Sequence, residues 1–254
     1  MSGFTWYQGE ANTLDQASAD QYAEDFPTMI QTWRDGFQNP DAYFGFVQLS
    51  TWCPKNPVAV AEMRQAQMKA LDHLGKIGYA TNADYGMGCN IHPRDKRPCG
   101  SRLGKSALAL QYGQSIQWRS PTYSSATMAI AERDFVGGSP AVVITFNDVS
   151  EKGLYILDNP YNNRLDPKEF NCTSHPEGTC AWPMVLLNGQ GWVNATIAVQ
   201  GGNKVVMTPT ATETPAGVGA ETIVGTSYGW GAVPMMSLYD AGTDLPVLPW
   251  NEKV

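Results

Sequence analysis

The first half of the chain alternates short apolar runs with longer stretches whose apolar residues recur at helical spacing. Phe4 to Tyr7 is apolar and aromatic, then turns polar with a glycine, the pattern of a buried strand ending in a loop that presents Gln8, Glu10 and Asn12. Asp25-Phe26-Pro27 reads as a helix start, with Asp25 as N-cap and the proline in the first turn. Phe26, Met29, Ile30, Trp33 and Phe37 then make one apolar stripe. Tyr43 to Leu49 is a second strand, and Val58 to His73 a helix that Gly75 and Gly78 stop. Gly78 to Asp84 gives a third strand, and Asp95 caps a last helix running to Tyr112, with Leu103, Ala107, Leu108 and Leu110 among its apolar positions. Strand–helix–strand–helix order implies parallel pairing in an α/β layer. Ligands of such sheets sit beyond the carboxyl ends of the strands, so the Gln8 loop and the Asp84–His92 loop are expected on one edge.

After Gly113 the character changes. Helical periodicity fades from Trp118 onward, and alternating runs take over at Ala141–Phe146, Gly153–Leu157, Trp192–Val199, Lys204–Met207 and Ile223–Trp230, separated by Gly, Pro, Asn and Asp clusters. That is an antiparallel β pattern, with Gly201-Gly202-Asn203 as a hairpin turn and Thr208 to Gly219 as a surface loop. The expected architecture is α/β over residues 1–115, followed by a β-rich antiparallel domain over 116–254.

Composition narrows the function classes. The chain has 254 residues and a formal charge of −7, with basic residues scattered rather than clustered, which argues against nucleic acid or an anionic membrane as partner. No stretch has the apolar length of a transmembrane helix, and no basic flank precedes an apolar core at the N-terminus. Of the five cysteines, Cys172 and Cys180 flank a short polar loop suited to a local disulfide. Cys89 and Cys99 bracket His92 and would clamp its loop, leaving Cys53 over; five free thiols is the alternative. No CxxC or HxxxH spacing points to a metal. Two sequons, Asn171-Cys172-Thr173 and Asn194-Ala195-Thr196, tilt the expected compartment toward secreted or lysosomal.

His92 is one of three histidines, on a loop beyond a strand and before Pro93, which holds it extended. Such a histidine is well placed as a general base, because the ordinary imidazole pKa lies near working pH. Gln8 and Asn12 carry amides able to donate to a tetrahedral oxyanion, and Gly9 lets backbone approach. Asp84 and Glu10 are the carboxylates available to orient the histidine, and either also reads as a structural loop residue. Gly225-Thr226-Ser227-Tyr228-Gly229 matches the G-x-S-x-G elbow, yet Trp-Gly-Ala-Val-Pro follows where that elbow needs a helix.

The string Trp6-Tyr7-Gln8-Gly9-Glu10-Ala11-Asn12, with Asn90-Ile91-His92-Pro93-Arg94-Asp95-Lys96 some eighty residues on, resembles the sialate O-acetylesterase family of SGNH-type serine hydrolases. Phe26-Pro27 with Trp33-Arg34, Phe46-Val47-Gln48-Leu49, Glu62-Met63-Arg64-Gln65-Ala66-Gln67 and Tyr228-Gly229-Trp230 extend the resemblance. It implies an esterase that removes O-acetyl groups from sialic acid or a related sugar without metal or organic cofactor. His92 would be its base, Gln8 its oxyanion donor, and Asn12 a second donor. In that family the nucleophilic serine precedes the WYQGE segment, and only five residues precede Trp6 here. The chain is therefore expected to be the base-bearing C-terminal part of an esterase, its partner the missing N-terminal half, and inactive alone. Gly113-Gln114-Ser115 echoes the family's nucleophile loop but follows His92. SGNH enzymes commonly place an aspartate three residues before the histidine; Cys89 stands there. Two other readings stay open: a catalytically dead carbohydrate-binding protein and an acetylxylan esterase-like enzyme. The aromatic residues Trp182, Trp192, Tyr228 and Trp230 either shape a sugar site or belong to the core.

Overall fold

The computed structural model describes residues 1–56, 58–129, 140–157, 170–175, 178–210 and 223–254. The chain forms two compact units, divided after Arg119. The first also takes in Gly231–Val233 and the described part of 161–180. Residues 116–119 therefore lie with the first unit, and Trp118 packs edge-on against Tyr79 there at 5.5 Å.

The first unit holds a parallel sheet of β1 (Gly3–Trp6), β2 (Tyr43–Gln48) and β3 (Ile77–Thr81), in that order, with Phe4 beside Phe44 and Phe46 beside Tyr79. Every residue of β2 and β3 is buried, which is why both read as continuous apolar runs. Helices α1 (Gln16–Gly36), α2 (Val58–Met68), α3 (Ala70–His73) and α4 (Arg97–Leu110) complete the α/β layer expected from the sequence.

Two helix boundaries differ from expectation. Helix α1 begins at Gln16, nine residues before Asp25, because the Asp15 carboxylate caps it, accepting from the Ser18 N–H and the Ser18 hydroxyl at 2.8 Å each. Pro27 thus lies inside the helix, where it costs about 3 kcal/mol against alanine. The buried stripe of Ala19, Tyr22, Phe26 and Ile30 carries the helix across it. The expected helix over 58–73 divides into α2 and α3 at Lys69, where Lys69 N–H reaches back only three residues, to Ala66 O.

Two buried arginines hold the backbone at opposite ends of the sheet. Arg34, in α1, donates to Ala42 O and Gly75 O, just before β2 and β3. Arg64, in α2, donates to Leu49 O and Ser50 O just after β2, and to Gly231 O and Ala232 O where the chain returns to this unit.

The second unit carries β4 (Thr122–Met128), β5 (Val142–Asn147), β6 (Leu154–Ile156), β7 (Cys180–Ala181, which straddles the boundary), β8 (Met184–Leu187), β9 (Gly191–Gly201), β10 (Lys204–Pro209), β11 (Ile223–Tyr228), β12 (Val233–Pro234, also straddling), β13 (Leu238–Asp240) and β14 (Trp250–Lys253). Seven of these form one antiparallel sheet in the order β14-β11-β8-β9-β10-β5-β4. The 201–203 turn joins β9 to β10 as expected, whereas 211–219 of the expected surface loop lie outside the described residues. Its core gathers Val142, Ile144, Val185, Met207, Tyr228 and Trp250 with other apolar residues. Tyr228 is a core residue: its ring stacks on Trp250 at 4.8 Å and its hydroxyl accepts from Ser237 and Leu238 N–H at 2.8 Å.

Asp240, at the end of β13, is buried and accepts from the N–H groups of Ser150, Gly242 and Thr243 and from the Thr243 hydroxyl. Burial pushes its carboxyl up, but these donors outweigh it and hold the group below the ordinary carboxylate range. A carboxyl depressed in the folded state stabilises the fold above its unfolded pKa, and that contribution fades as pH falls through the folded value. Asp240→Asn is expected to cost about 1–3 kcal/mol near neutrality. The gap in Tm from the parent should close as pH drops below about 4; thermal melts across that range check it, and a gap independent of pH would contradict it.

Candidate active site

Strands β1, β2 and β3 run parallel, so the loops after them open on one edge. The first loop begins at Tyr7. Gln8 Nε2 donates to Asn12 Oδ1 at 2.7 Å, bringing the two amides together. This bond uses the Asn12 oxygen and leaves its Nδ2 hydrogens available. The Tyr22 hydroxyl donates to Gln8 Oε1 at 3.3 Å, and Gln67 Nε2 donates to Gln8 O at 3.1 Å. Burial pushes the Tyr22 hydroxyl up to about 12, so it stays protonated and keeps donating. Glu10 holds the turn through its backbone oxygen, which accepts from the Thr13 hydroxyl and N–H.

Gln67 also locks the start of the second loop: it accepts from Leu49 N–H at 3.0 Å and donates to Val47 O at 3.2 Å. Asn82, just past β3, donates through Nδ2 to the Tyr7 hydroxyl at 3.3 Å. Burial raises that hydroxyl to about 12, with the Asn82 bond working the other way. At this edge Gln48 Oε1, Thr51 Oγ1 and Asn82 Oδ1 are buried without a hydrogen-bond partner among the described residues. Buried polar atoms normally find partners, and three orphans at one edge mark it as a place built for polar contacts.

The third loop carries His92 and is held at several points. Asp84 forms a buried bidentate pair with Arg102 of α4, Oδ1 to Nη1 at 2.7 Å and Oδ2 to Nη2 at 2.9 Å, and Arg102 also donates to Thr81 O. The Ser50 hydroxyl donates to Tyr85 O. Gly86 packs so closely that a Cβ would lie 2.0 Å from Thr51 Oγ1, and a Cβ on Gly88, with φ +57°, would lie 2.3 Å from the Phe170 ring. Cys89 is bonded to Cys53, tying this loop to the one after β2. Asn90 Oδ1 then accepts from His92 N–H at 2.9 Å.

The expected Cys89–Cys99 clamp is corrected by this geometry, whereas Cys172–Cys180 forms as expected. Cys99 lies in the first turn of α4, packed against Val47 and Ala80 with its thiol donating to Lys96 O, so it faces the core and not the loop. Burial pushes that thiol up. Asp95, expected as the cap of α4, stands one residue before its N-cap Lys96, with Oδ1 accepting from Arg97 N–H. The Arg97 guanidinium holds its carboxyl down at about 2.

The imidazole of His92 is exposed and hydrogen-bonds to no described residue, neither Asp84, which is committed to Arg102, nor Glu10. Ser227 lies in β11, paired to β8 and β14, so no strand–turn–helix elbow forms there. Among the described residues no three His, Cys, Asp or Glu side chains converge as a metal site, and no helix is long and apolar enough to cross a membrane. Sequence reasoning missed Arg64, Gln67 and Gln48 as builders of this edge. The available signal was two polar residues, Arg64 and Gln67, spaced among Val60 and Met63 on the inward stripe of α2.

Residues 1–93 match the family model for carbohydrate esterases described as sialic acid-specific acetylesterase. No curated protein sequence matches the chain. Among solved structures it is similar to XAC1771, described as a novel carbohydrate acetylesterase from Xanthomonas citri, at 25% identity and a TM-score of 0.72. That likeness covers 99% of this chain and 50% of the other, so the chain spans half the length of this relative.

Proposed function

We propose that the edge above the parallel sheet is the base and oxyanion side of a serine esterase, a reading supported by the match of residues 1–93 to the family model for sialic acid-specific acetylesterases. Its substrate would be an O-acetylated sialic acid or another acetylated sugar. A serine hydroxyl attacks the acetyl carbonyl, and His92 takes its proton. Asn12 Nδ2 and the remaining Gln8 N–H donate to the oxyanion. The sugar oxygen leaves with the proton from His92, and water releases acetate. No described serine reaches the His92 imidazole. The nucleophile is therefore proposed to be a serine other than these. The observation that carries the reading is the joined Gln8–Asn12 amide pair on the same sheet edge as the loop bearing His92.

The disulfides Cys53–Cys89 and Cys172–Cys180 support a secreted or lysosomal setting. That no carboxylate among the described residues bonds to His92 favours a second reading, a carbohydrate-binding protein that has lost catalysis. Acetate release from O-acetylated sialic acid and from acetylated xylan, by a form of the protein that labels with a fluorophosphonate, separates these. Release from sialic acid supports the first reading. Release from xylan alone shifts the substrate, and sugar binding without acetate supports the second.

A further inference from the structure

Strand β9 spans Gly191–Gly201 and contains the sequon Asn194-Ala195-Thr196. Side chains of a strand alternate between faces, so Trp192, Asn194 and Thr196 project from one face while Ala195 points the other way. The burial pattern agrees: Trp192, Asn194 and Thr196 are exposed, and Ala195 is buried in the core of the second unit. Trp192 is 41% exposed although it is the largest apolar side chain of the strand. Its cross-strand partner Leu186 lies on the same face, as does Met184 opposite Asn194. The face therefore sets an indole platform, an amide and a hydroxyl in a row, two residues apart.

We infer that Asn194 is an N-glycosylation site whose first sugar lies on the Trp192 ring. In the transfer, the Asn194 amide nitrogen bonds to the anomeric carbon of a lipid-pyrophosphate-linked oligosaccharide. The bond from that carbon to the pyrophosphate breaks, and the amide gives up one proton. Thr196 supplies the hydroxyl that the acceptor motif requires. The C–H face of the attached sugar then covers indole that solvent otherwise meets, an amphipathic contact suited to tryptophan. The Thr196 hydroxyl donates to Thr208 O at 3.4 Å. The other sequon lies in a disulfide-closed loop, with Cys172 between Asn171 and Thr173 bonded to Cys180.

The inference rests on the secretory setting proposed above, and the experiment keeps the two apart. The chain is directed by a leader peptide into the secretory lumen of a eukaryotic host, and N-glycans are removed enzymatically in heavy-oxygen water. Mass spectrometry then finds the tagged residues. The expected result is a tag on Asn194 that is lost completely in Thr196→Ala and falls by about two-fold or more in Trp192→Ser. An untagged Asn194 in chain recovered from that lumen overturns the site and leaves the secretory setting standing. An occupancy unchanged in Trp192→Ser overturns the platform. Fractionation of the native protein tests the setting itself.

Discussion

His92→Ala is expected to reduce acetyl-ester hydrolysis by roughly 10⁶-fold in any form of the protein that turns over, the loss seen when the base of a serine hydrolase is removed. The imidazole is exposed at the sheet edge and makes no hydrogen bond to a described residue, so its removal breaks no hydrogen bond among the described residues. The variant should melt with the parent while losing turnover, and kcat should carry the loss because the proton transfers belong to the transition states. Paired rate and melting measurements check this. A loss below about ten-fold would mean that another group takes the serine's proton.

Arg64→Met is expected to destabilise the first unit by about 3–5 kcal/mol, more than an ordinary core substitution. Arg64 is 1% exposed and no carboxylate among the described residues answers its charge; its donors end on four backbone oxygens, those of Leu49, Ser50, Gly231 and Ala232. Burial pulls its pKa down to about 9, with Tyr7 pulling slightly the other way, so it remains a cation at neutral pH. Methionine fills similar volume but takes the guanidinium donors from the Leu49, Ser50 and Gly231 oxygens in a dry site, Ala232 O keeping the Trp52 N–H at 3.4 Å, and each unpaired group costs about 1–3 kcal/mol. Arg64→Lys keeps the charge but lacks the planar fork and should fall between parent and Arg64→Met. Denaturant unfolding of the three proteins reads this. A cost for Arg64→Met within about 1 kcal/mol of zero would contradict the clasp.

The parts of this molecule that the sequence made legible share a physical cause. Strands β2 and β3 are buried on both faces, so their apolar runs show without any partner in view. The second half's alternation marks strands with one buried face, as in β5, where buried and part-buried residues alternate. Strand β4 escaped because Thr-Tyr-Ser-Ser-Ala-Thr-Met has a polar surface and pairs only at the sheet edge. The start of α1 escaped because Asp15 and Asp25 are both plausible caps locally, and the choice lies in which turn packs on the sheet. The disulfide escaped for a similar reason. Cys89 and Cys99 are near in sequence, but a helix turn faces Cys99 inward, while Cys53 comes from another loop of the same edge. For the site, residue types and strand order placed Gln8, Asn12 and His92 on one edge. That Asp84 would answer Arg102, and Arg64 four carbonyls, depends on contacts between elements far apart in sequence.

The central proposal is that this chain supplies the base and the oxyanion donors of a serine esterase and that none of its described serines is the nucleophile. Fluorophosphonate labelling, with mass spectrometry to locate any modified serine, tests it most directly. The account predicts no label on a described serine. A label on one of them, lost in His92→Ala, would contradict it and place the nucleophile among the described residues.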